Sequence, residues 1–353
     1  MGAPKQLLRL GPKFLLEHAL DAVRSACVDE AILVLGFAAE ETRRMIAADG
    51  VTVVVNENYR EGMGTSLRLG ISSINPDARG AFIVLADQPL VSPSTLDRMI
   101  AFHREHSPQI VIPIYRGFRG NPVLLDRIVF PELAGIKGDV GCRAIFGSHT
   151  QGIHKLPVED PGILLDADTL DDFHKLEAVR ESGELVELSS ARYIEESRLS
   201  TEASALGPEL IVVGRDAVAV ALVRLARVLR FATTVVDPFL TLQELPEADR
   251  ILHSLDFSLL PKNPDRHVVV ASRGQFDEEG LEQAFLTDAP YIALLANRKR
   301  GDELKGILRE KGVSPEKLRC PAGMEIGAES PEEIALSILT QIVAERHQVH
   351  LAH

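Results

Sequence analysis

The sequence predicts an α/β protein of two three-layer domains built on mostly parallel sheets, and three observations predict it. The chain has 353 residues, beyond the roughly 250 to 300 at which a single core stops growing, so two folded units are expected. Short β-branched runs without polar alternation recur along it, the pattern of strands buried on both faces. Segments with helical spacing separate these runs, and the alternation lapses once before restarting.

In the first half, "EAILVLG" (Glu30 to Gly36), "VTVVVN" (Val51 to Asn56) and "AFIVLAD" (Ala81 to Asp87) read as parallel strands. Helical spacing fills "AAEETRRMIAA" and "GTSLRLGISSI", and "SPSTLDRMIAFHREH" opens with Ser92 at the N-cap and Pro93 at the first helical position. Further on, "QIVIPI", "NPVLLD" and "GILLDAD" are strand-like but interrupted by Gly and Pro, which predicts an irregular, mixed edge. Residues 1–182 are taken as the first domain, the polar stretch 183–207 as a linker, and 208–353 as the second domain.

After the linker come "ELIVVG", the helix "AVALVRLARVLR", then "ATTVVDP", "HVVVAS", "YIALL" and a final long helix, "SPEEIALSILTQIVAERH". A strand, a turn, a helix and a strand ending in Asp237 make a Rossmann-type opening. Gly214 stands at the first glycine of a dinucleotide turn, but Asp216 and Ala219 occupy the second and third. A carboxylate where backbone must meet pyrophosphate is repulsive, so the structural reading of this turn is preferred to dinucleotide binding.

Composition excludes several classes. A formal charge of -13 with no basic run longer than "NRKR" (Asn297 to Arg300) argues against nucleic acid. No apolar stretch approaches the roughly 20 residues of a membrane span, and the opening lacks a secretory or myristoylation pattern, so no membrane association and a cytoplasmic location are expected. Cys27, Cys142 and Cys320 are scattered, which suggests reduced thiols rather than disulfides or a zinc site. His347, His350 and His353 fall at a terminus, where fraying is the simpler reading than metal binding.

The chemistry-bearing residues of the first half are acidic groups and a lysine. Gly2, Pro4 and Lys5 read as the second half of a Gly-rich, phosphate-holding turn leading into a helix. Asp87 closes a strand, at the edge where ligands bind in this architecture, though a strand-ending Asp is also a common loop residue. Asp166 and Asp168 follow "GILL", read as a strand, so that one of them, Asp168, faces a metal shared with Asp87 while Asp166 supports or caps.

On "MGAPKQLL", "NENYREGMGTSLRLGI", "LADQPLV" and "LDADTLDDF", the first 180 or so residues resemble the MobA-like NTP transferases, in particular their molybdenum cofactor cytidylyltransferase branch. The segments "YRGFRGNPVLLD" and "GIKGDVGCRAIF" resemble those that surround the pterin. Ala86 stands in place of a Gly, and Asn121 where many relatives carry His. The resemblance implies a nucleotidyltransferase that moves CMP from CTP to molybdopterin cofactor with release of pyrophosphate. It implies Lys5, Asp87 and Asp168 as catalytic residues, with Asp87 and Asp168 holding Mg2+. Gly2, Lys5, Asn56, Gly64 and Ser66 would bind nucleotide, and Arg119, Gly120, Asn121, Asp139 and Arg143 the acceptor. Guanidinium pairs bidentately with phosphate, which suits Arg119 and Arg143 to that task, while an Arg143 to Asp139 ion pair is the structural alternative. Relative to the family, the first domain as given lacks its usual first strand, the Ala-Ala-Gly turn and the loop Ser and Arg. Met1 is therefore read as an internal methionine, with a remnant that binds without catalysing as the alternative.

On "VVVASRGQFDEEGLEQAF", "APYIALLANRKRGDEL" and above all "CPAGMEIGAESPEEIALSIL", the final hundred or so residues resemble the Rossmann domain of the XdhC/CoxI family, accessory factors of xanthine-dehydrogenase-type hydroxylases. Gln275 replaces a His of that family, and Ala296 and Asn297 a Gly-Ser pair. Gly323, Gly327 and Glu329 would shape an anion-binding turn before the last helix, against plain capping by Ser330 and Pro331. The expectation from both halves is molybdenum cofactor maturation serving such a hydroxylase, the alternative a non-catalytic cofactor chaperone, and a weaker third reading another MobA-like transferase.

Overall fold

The computed structural model describes residues 4–182, 194–196 and 207–347. Gly2, most of the 183–207 linker, His350 and His353 lie outside them. The chain forms two compact units, 1–115 with 119–190, and 191–353 with 116–118. It is α/β with mostly parallel strand pairing, the first unit being the more mixed.

The first unit begins with a three-residue 3-10 turn at Lys5–Leu7, followed by a short hairpin of Arg9–Leu10 with Lys13–Phe14. The first α-helix, α1 (Leu15–Ser25), starts only after it. Lys5 therefore does not open a helix, as the sequence suggested, because Gly11 and Pro12 turn the chain back first. Strand β1 (Ile32–Leu35) leads through α2 (Ala39–Met45) to β2 (Thr52–Val55), with which it pairs in parallel. Helix α3 (Met63–Ser72) follows.

Strand β3 (Gly80–Ile83) lies in a second sheet. It precedes α4 (Pro93–His106), where Ser92 accepts from Ser94 N–H as the N-cap. Strands β4 (Ile110–Tyr115) and β5 (Val123–Asp126) are antiparallel, β5 pairs antiparallel with β3, and β6 (Ile153–Pro157) joins β4 in parallel. This is the mixed sheet foreseen from its Gly and Pro. Side chains alternate across it: Ile110, Ile112, Val123 and Leu125 pack with Leu67 of α3, while Val111 and Leu124 pack with Met99 of α4. Helices on both faces make three layers. The segment "GILL" is a 3-10 turn (Pro161–Leu164) rather than a strand, because Asp160 caps it from Pro161 onward, accepting from Gly162 N–H. Helix α5 (Leu170–Ser182) is the last described element of the unit, entered through reciprocal hydrogen bonds between Thr169 and Asp172.

The second unit is more regular. Its sheet runs in the order β7 (Ile194–Glu196), β10 (Arg250–Leu252), β9 (Ala232–Val236), β8 (Glu209–Val213), β11 (Arg266–Val270), β12 (Tyr291–Leu294), β13 (Leu318–Arg319), parallel except at β7. The chain moves outward from β8 in both directions, so a topological switch point lies between β8 and β11. Leu210 and Val212 face α6 (Ala217–Val228) and α9 (Pro331–Arg346), whose Leu222, Ala226, Ile338 and Ile342 form one core. Val213 and Val270 meet α7 (Asp277–Phe285) on the other face at Gly280, and α8 (Arg298–Glu310) follows β12. The short run Glu209–Val213 is wholly buried, as its lack of polar alternation predicted.

Candidate active site

Three of the charged groups singled out in the sequence meet in the first unit. Lys5 Nζ donates to Asp87 Oδ2 at 2.5 Å and to Asp168 Oδ1 at 2.8 Å, spanning 82 and 163 residues. A backbone bond fixes this convergence: Ala167 N–H donates to Asp87 O at 3.1 Å, tying the acidic segment to the turn after β3. The 3-10 turn before it is anchored in the same way, since Asp160 Oδ2 accepts from Ser92 N–H and Thr95 Oγ1 at the start of α4. The aspartates are thus placed by loop-to-loop hydrogen bonds, not by the alternation of a strand.

The ammonium and the carboxylates perturb one another. Partial burial of Lys5 acts to lower its pKa, but hydrogen bonds to Asp168 and Asp87 and their charges outweigh it and raise the value to about 12. Burial, with the charges of Asp168, Asp87 and Asp172, pushes Asp166 up to about 6 against the pull of Lys5. Asp166 is therefore part of the same electrostatic cluster. The folded state holds the Asp166 proton more tightly than the unfolded chain does. The stability it contributes is complete below about pH 4 and is lost as pH rises through about 6. Asp166→Asn is expected to raise the stability of the protein at pH 7.5 by about 1 to 2 kcal/mol, discounted for partial solvent access, with the gain shrinking toward about pH 4. Denaturant melts at the two pH values check this.

A second group of site residues is stitched around the start of α3. Buried Asn56, at the end of β2, donates through Nδ2 to Thr65 Oγ1 and Ser66 Oγ, each at 2.8 Å. Its Oδ1 accepts from Asn58 N–H. Gly64 N–H donates to Gly138 O and Met63 N–H to Asp139 Oδ1, so the loops 56–66 and 136–141 form one body. Asp139 is thereby a loop tie. Gly62, at φ +108, lies so close to this second loop that a Cβ would stand 2.3 Å from the Gly138 carbonyl carbon.

The other acceptor-side residues divide by exposure. Arg119 is buried with its guanidinium 6.0 Å from the Phe146 ring centre, and Gly120 is buried with its N–H on Pro113 O. Asn121 donates its N–H to Ile163 O beside the acidic segment, while Arg143 is exposed. Both arginines act on buried Cys142, whose thiol burial raises to about 11 while Arg143 and Arg119 pull it down. Among the described residues no group of three or more His, Cys, Asp or Glu side chains is arranged to hold a metal alone. Asp87 and Asp168 nonetheless offer hard carboxylate oxygens on either side of one cation, the donor set that suits Mg2+ when substrate phosphates and water complete its shell.

Residues 1–153 match the model of the MobA-like NTP transferase domain, and residues 210–342 match that of the XdhC Rossmann domain. The chain joins a MobA-like NTP transferase domain to an XdhC Rossmann domain. The uncharacterized protein YqeB of Escherichia coli K12 is 34% identical over 146 residues, 38% of this chain and 27% of YqeB. A probable xanthine dehydrogenase subunit from Bacillus subtilis is 31% identical over 151 residues, 40% of this chain and 44% of that protein. The chain thus spans under half the length of these two relatives. A crystal structure of Rv0371c from Mycobacterium tuberculosis in complex with manganese is 38% identical, covering 50% of this chain and 93% of that one, with a TM-score of 0.46.

In the XdhC Rossmann domain the structure gives Asp216 a partner the sequence did not reveal. Its Oδ1 accepts from Ala219 N–H as the N-cap of α6, and its Oδ2 holds Arg273 at 3.0 Å across the switch point. Asp237 Oδ1 accepts from Phe239 and Leu240 N–H within its own turn, and its Oδ2 lies 3.8 Å from Arg215. Asp216→Ala is expected to cost about 1 kcal/mol of stability through the lost cap, read by thermal melting. The N-terminus of α9 is closed by a capping box between Ser330 and Glu333, whose Oε2 also accepts from Glu329 N–H. Capping accounts for that helix start, in preference to the anion site. Gly323 instead donates its N–H to Gln341 Oε1 on the same helix.

Proposed function

We propose that the first domain transfers CMP from CTP to molybdopterin cofactor with release of pyrophosphate, and that the XdhC Rossmann domain handles the cofactor for a xanthine-dehydrogenase-type hydroxylase. The observation that carries this reading is the placement of Lys5 between Asp87 and Asp168. Distant carboxylates gathered around a lysine, one in the turn after β3 and one after the capped 3-10 turn, suit a reaction between two anions.

Asp87 and Asp168 are the residues that would hold Mg2+, which when bound neutralises charge on the triphosphate. Lys5, with a pKa of about 12, keeps its proton throughout the neutral range and presents a fixed positive charge to phosphate. The acceptor phosphate is already an anion near neutral pH, so no strong general base is demanded, and positioning carries the step. The stitched loops around Asn56, Thr65 and Ser66 offer a rigid floor for that positioning. Exposed Arg143 is suited to steering the acceptor phosphate.

The link to a hydroxylase is supported by the second domain's family and by the Bacillus subtilis relative's name. Incubating the full chain with CTP, Mg2+ and molybdopterin tests the whole reading. Stoichiometric pyrophosphate release supports the transferase, whereas tight pterin binding without turnover would replace it with a carrier.

A further inference from the structure

An aromatic residue stands exposed at the same loop cluster, and its surroundings do not explain it. Phe37, in the turn after β1, is 65% exposed. The next residue, Ala38, takes φ +55, a left-handed conformation that costs an L-residue roughly 1 kcal/mol or more. The turn therefore accepts backbone strain while leaving a large apolar ring in water. Gly36 lets the chain approach Tyr59 closely, since a Cβ there would stand 2.7 Å from Tyr59 Cβ. The two rings meet edge to face, their centroids 6.3 Å apart at 64°. The Arg60 guanidinium lies 5.8 Å from the Tyr59 ring centre, and Met63, at the start of α3 four residues on, is also exposed.

Such a patch beside polar site residues marks a binding surface. Its composition narrows the occupant. Two rings set at an angle give a third planar ring one face to stack on and one edge to abut, and a nearby guanidinium favours a ligand that also carries negative charge. Both turns leave the carboxyl ends of parallel strands, where ligands bind in α/β sheets, and Tyr59 lies between Asn56 and the first turn of α3, whose Thr65 and Ser66 accept from Asn56.

We infer that Phe37 and Tyr59 form a stacking platform for the planar heteroaromatic ring of a phosphate-bearing ligand, so that ring recognition and phosphate recognition are separate parts of the first domain. This rests on the transferase reading of that domain. The ring belongs either to the nucleotide or to the pterin acceptor, and the test separates them.

The chain contains no tryptophan, so Phe37→Trp introduces a single reporter. Fluorescence titrations of this variant with CTP, with a pterin monophosphate and with inorganic triphosphate, each with Mg2+, are expected to show quenching by at least one ring-bearing ligand and none by inorganic triphosphate. Calorimetry then compares the native chain with Phe37→Ala and Phe37→Leu. Both are expected to weaken the quenching ligand by roughly tenfold or more, as loss of base stacking does, with triphosphate affinity unchanged. Equal loss for triphosphate, or unchanged affinity for both ring-bearing ligands, would overturn the platform and leave the transferase reading standing. Failure of the native chain to bind any of the three would overturn both.

Discussion

Asp87→Asn is expected to slow pyrophosphate release from CTP by roughly a thousandfold at saturating substrates, because it removes one of the two carboxylates that would hold the cation against the reacting phosphates. The residue closes the segment after β3, and its carboxylate is one of two on Lys5. Its backbone carbonyl also holds Ala167 N–H, a bond the substitution leaves intact. The local fold should therefore persist. With Lys5 about half exposed, the lost ion pair itself is worth no more than about 1 kcal/mol of stability. A large kinetic effect beside a small thermal one separates a chemical role from a structural one, and stopped-time pyrophosphate assays with parallel melting measure both. Lys5→Ala should share this profile, whereas Asp166→Asn should move stability in the opposite direction.

Gly62→Ala is the second large effect, and its signature is structural. At φ +108 an added Cβ is strained on its own account, and it would meet the Gly138 and Asp139 backbone rather than a flexible side chain. The two loops would have to part, releasing the Gly64 to Gly138 and Met63 to Asp139 bonds that hold the start of α3. A destabilisation of the first domain by about 2 to 4 kcal/mol is expected. Denaturant unfolding followed by hydrogen exchange should locate the loss in loops 56–66 and 136–141. An unchanged exchange pattern there would show that the loops tolerate separation and are not one body.

The sequence was most informative where a local rule sufficed. Ser92 and Pro93 announced α4 because an N-cap needs only its own turn, and Ser330 with Pro331, the capping alternative to an anion site, marks the start of α9 for the same reason. The second unit's strands were plain because each of the central ones is paired on both edges and covered on both faces. Strands β1 and β3 carry equally apolar sequences yet are only partly buried, each having a ladder partner on one edge among the described residues. No periodicity in "ILVL" encodes that difference. The approach of Lys5, Asp87 and Asp168 was foreseen from ordered motifs, but the strand thought to deliver Asp168 is a capped 3-10 turn.

Electrostatic environment was the least legible property. Asp166 and Asp168 differ by two positions and share a residue type, yet desolvation and neighbouring carboxylates raise the first to about 6. Asp216 looked repulsive at a dinucleotide turn, but Arg273, far along the chain, neutralises it. The exposed ring of Phe37 had no signal in "LGFAAEE", since exposure and the left-handed turn at Ala38 exist only in three dimensions.

In the proposed function, Asp87 and Asp168 act together as one cation and nucleotide site beside Lys5. Titrating Mn2+, as a paramagnetic stand-in for Mg2+, into the native chain, Asp87→Asn and Asp168→Asn in the presence of CTP measures this directly through free-ion resonance and water relaxation. A bound ion displaced by Mg2+ is expected in the native chain, with affinity reduced roughly tenfold or more by either substitution. Native-like binding in both variants would contradict it.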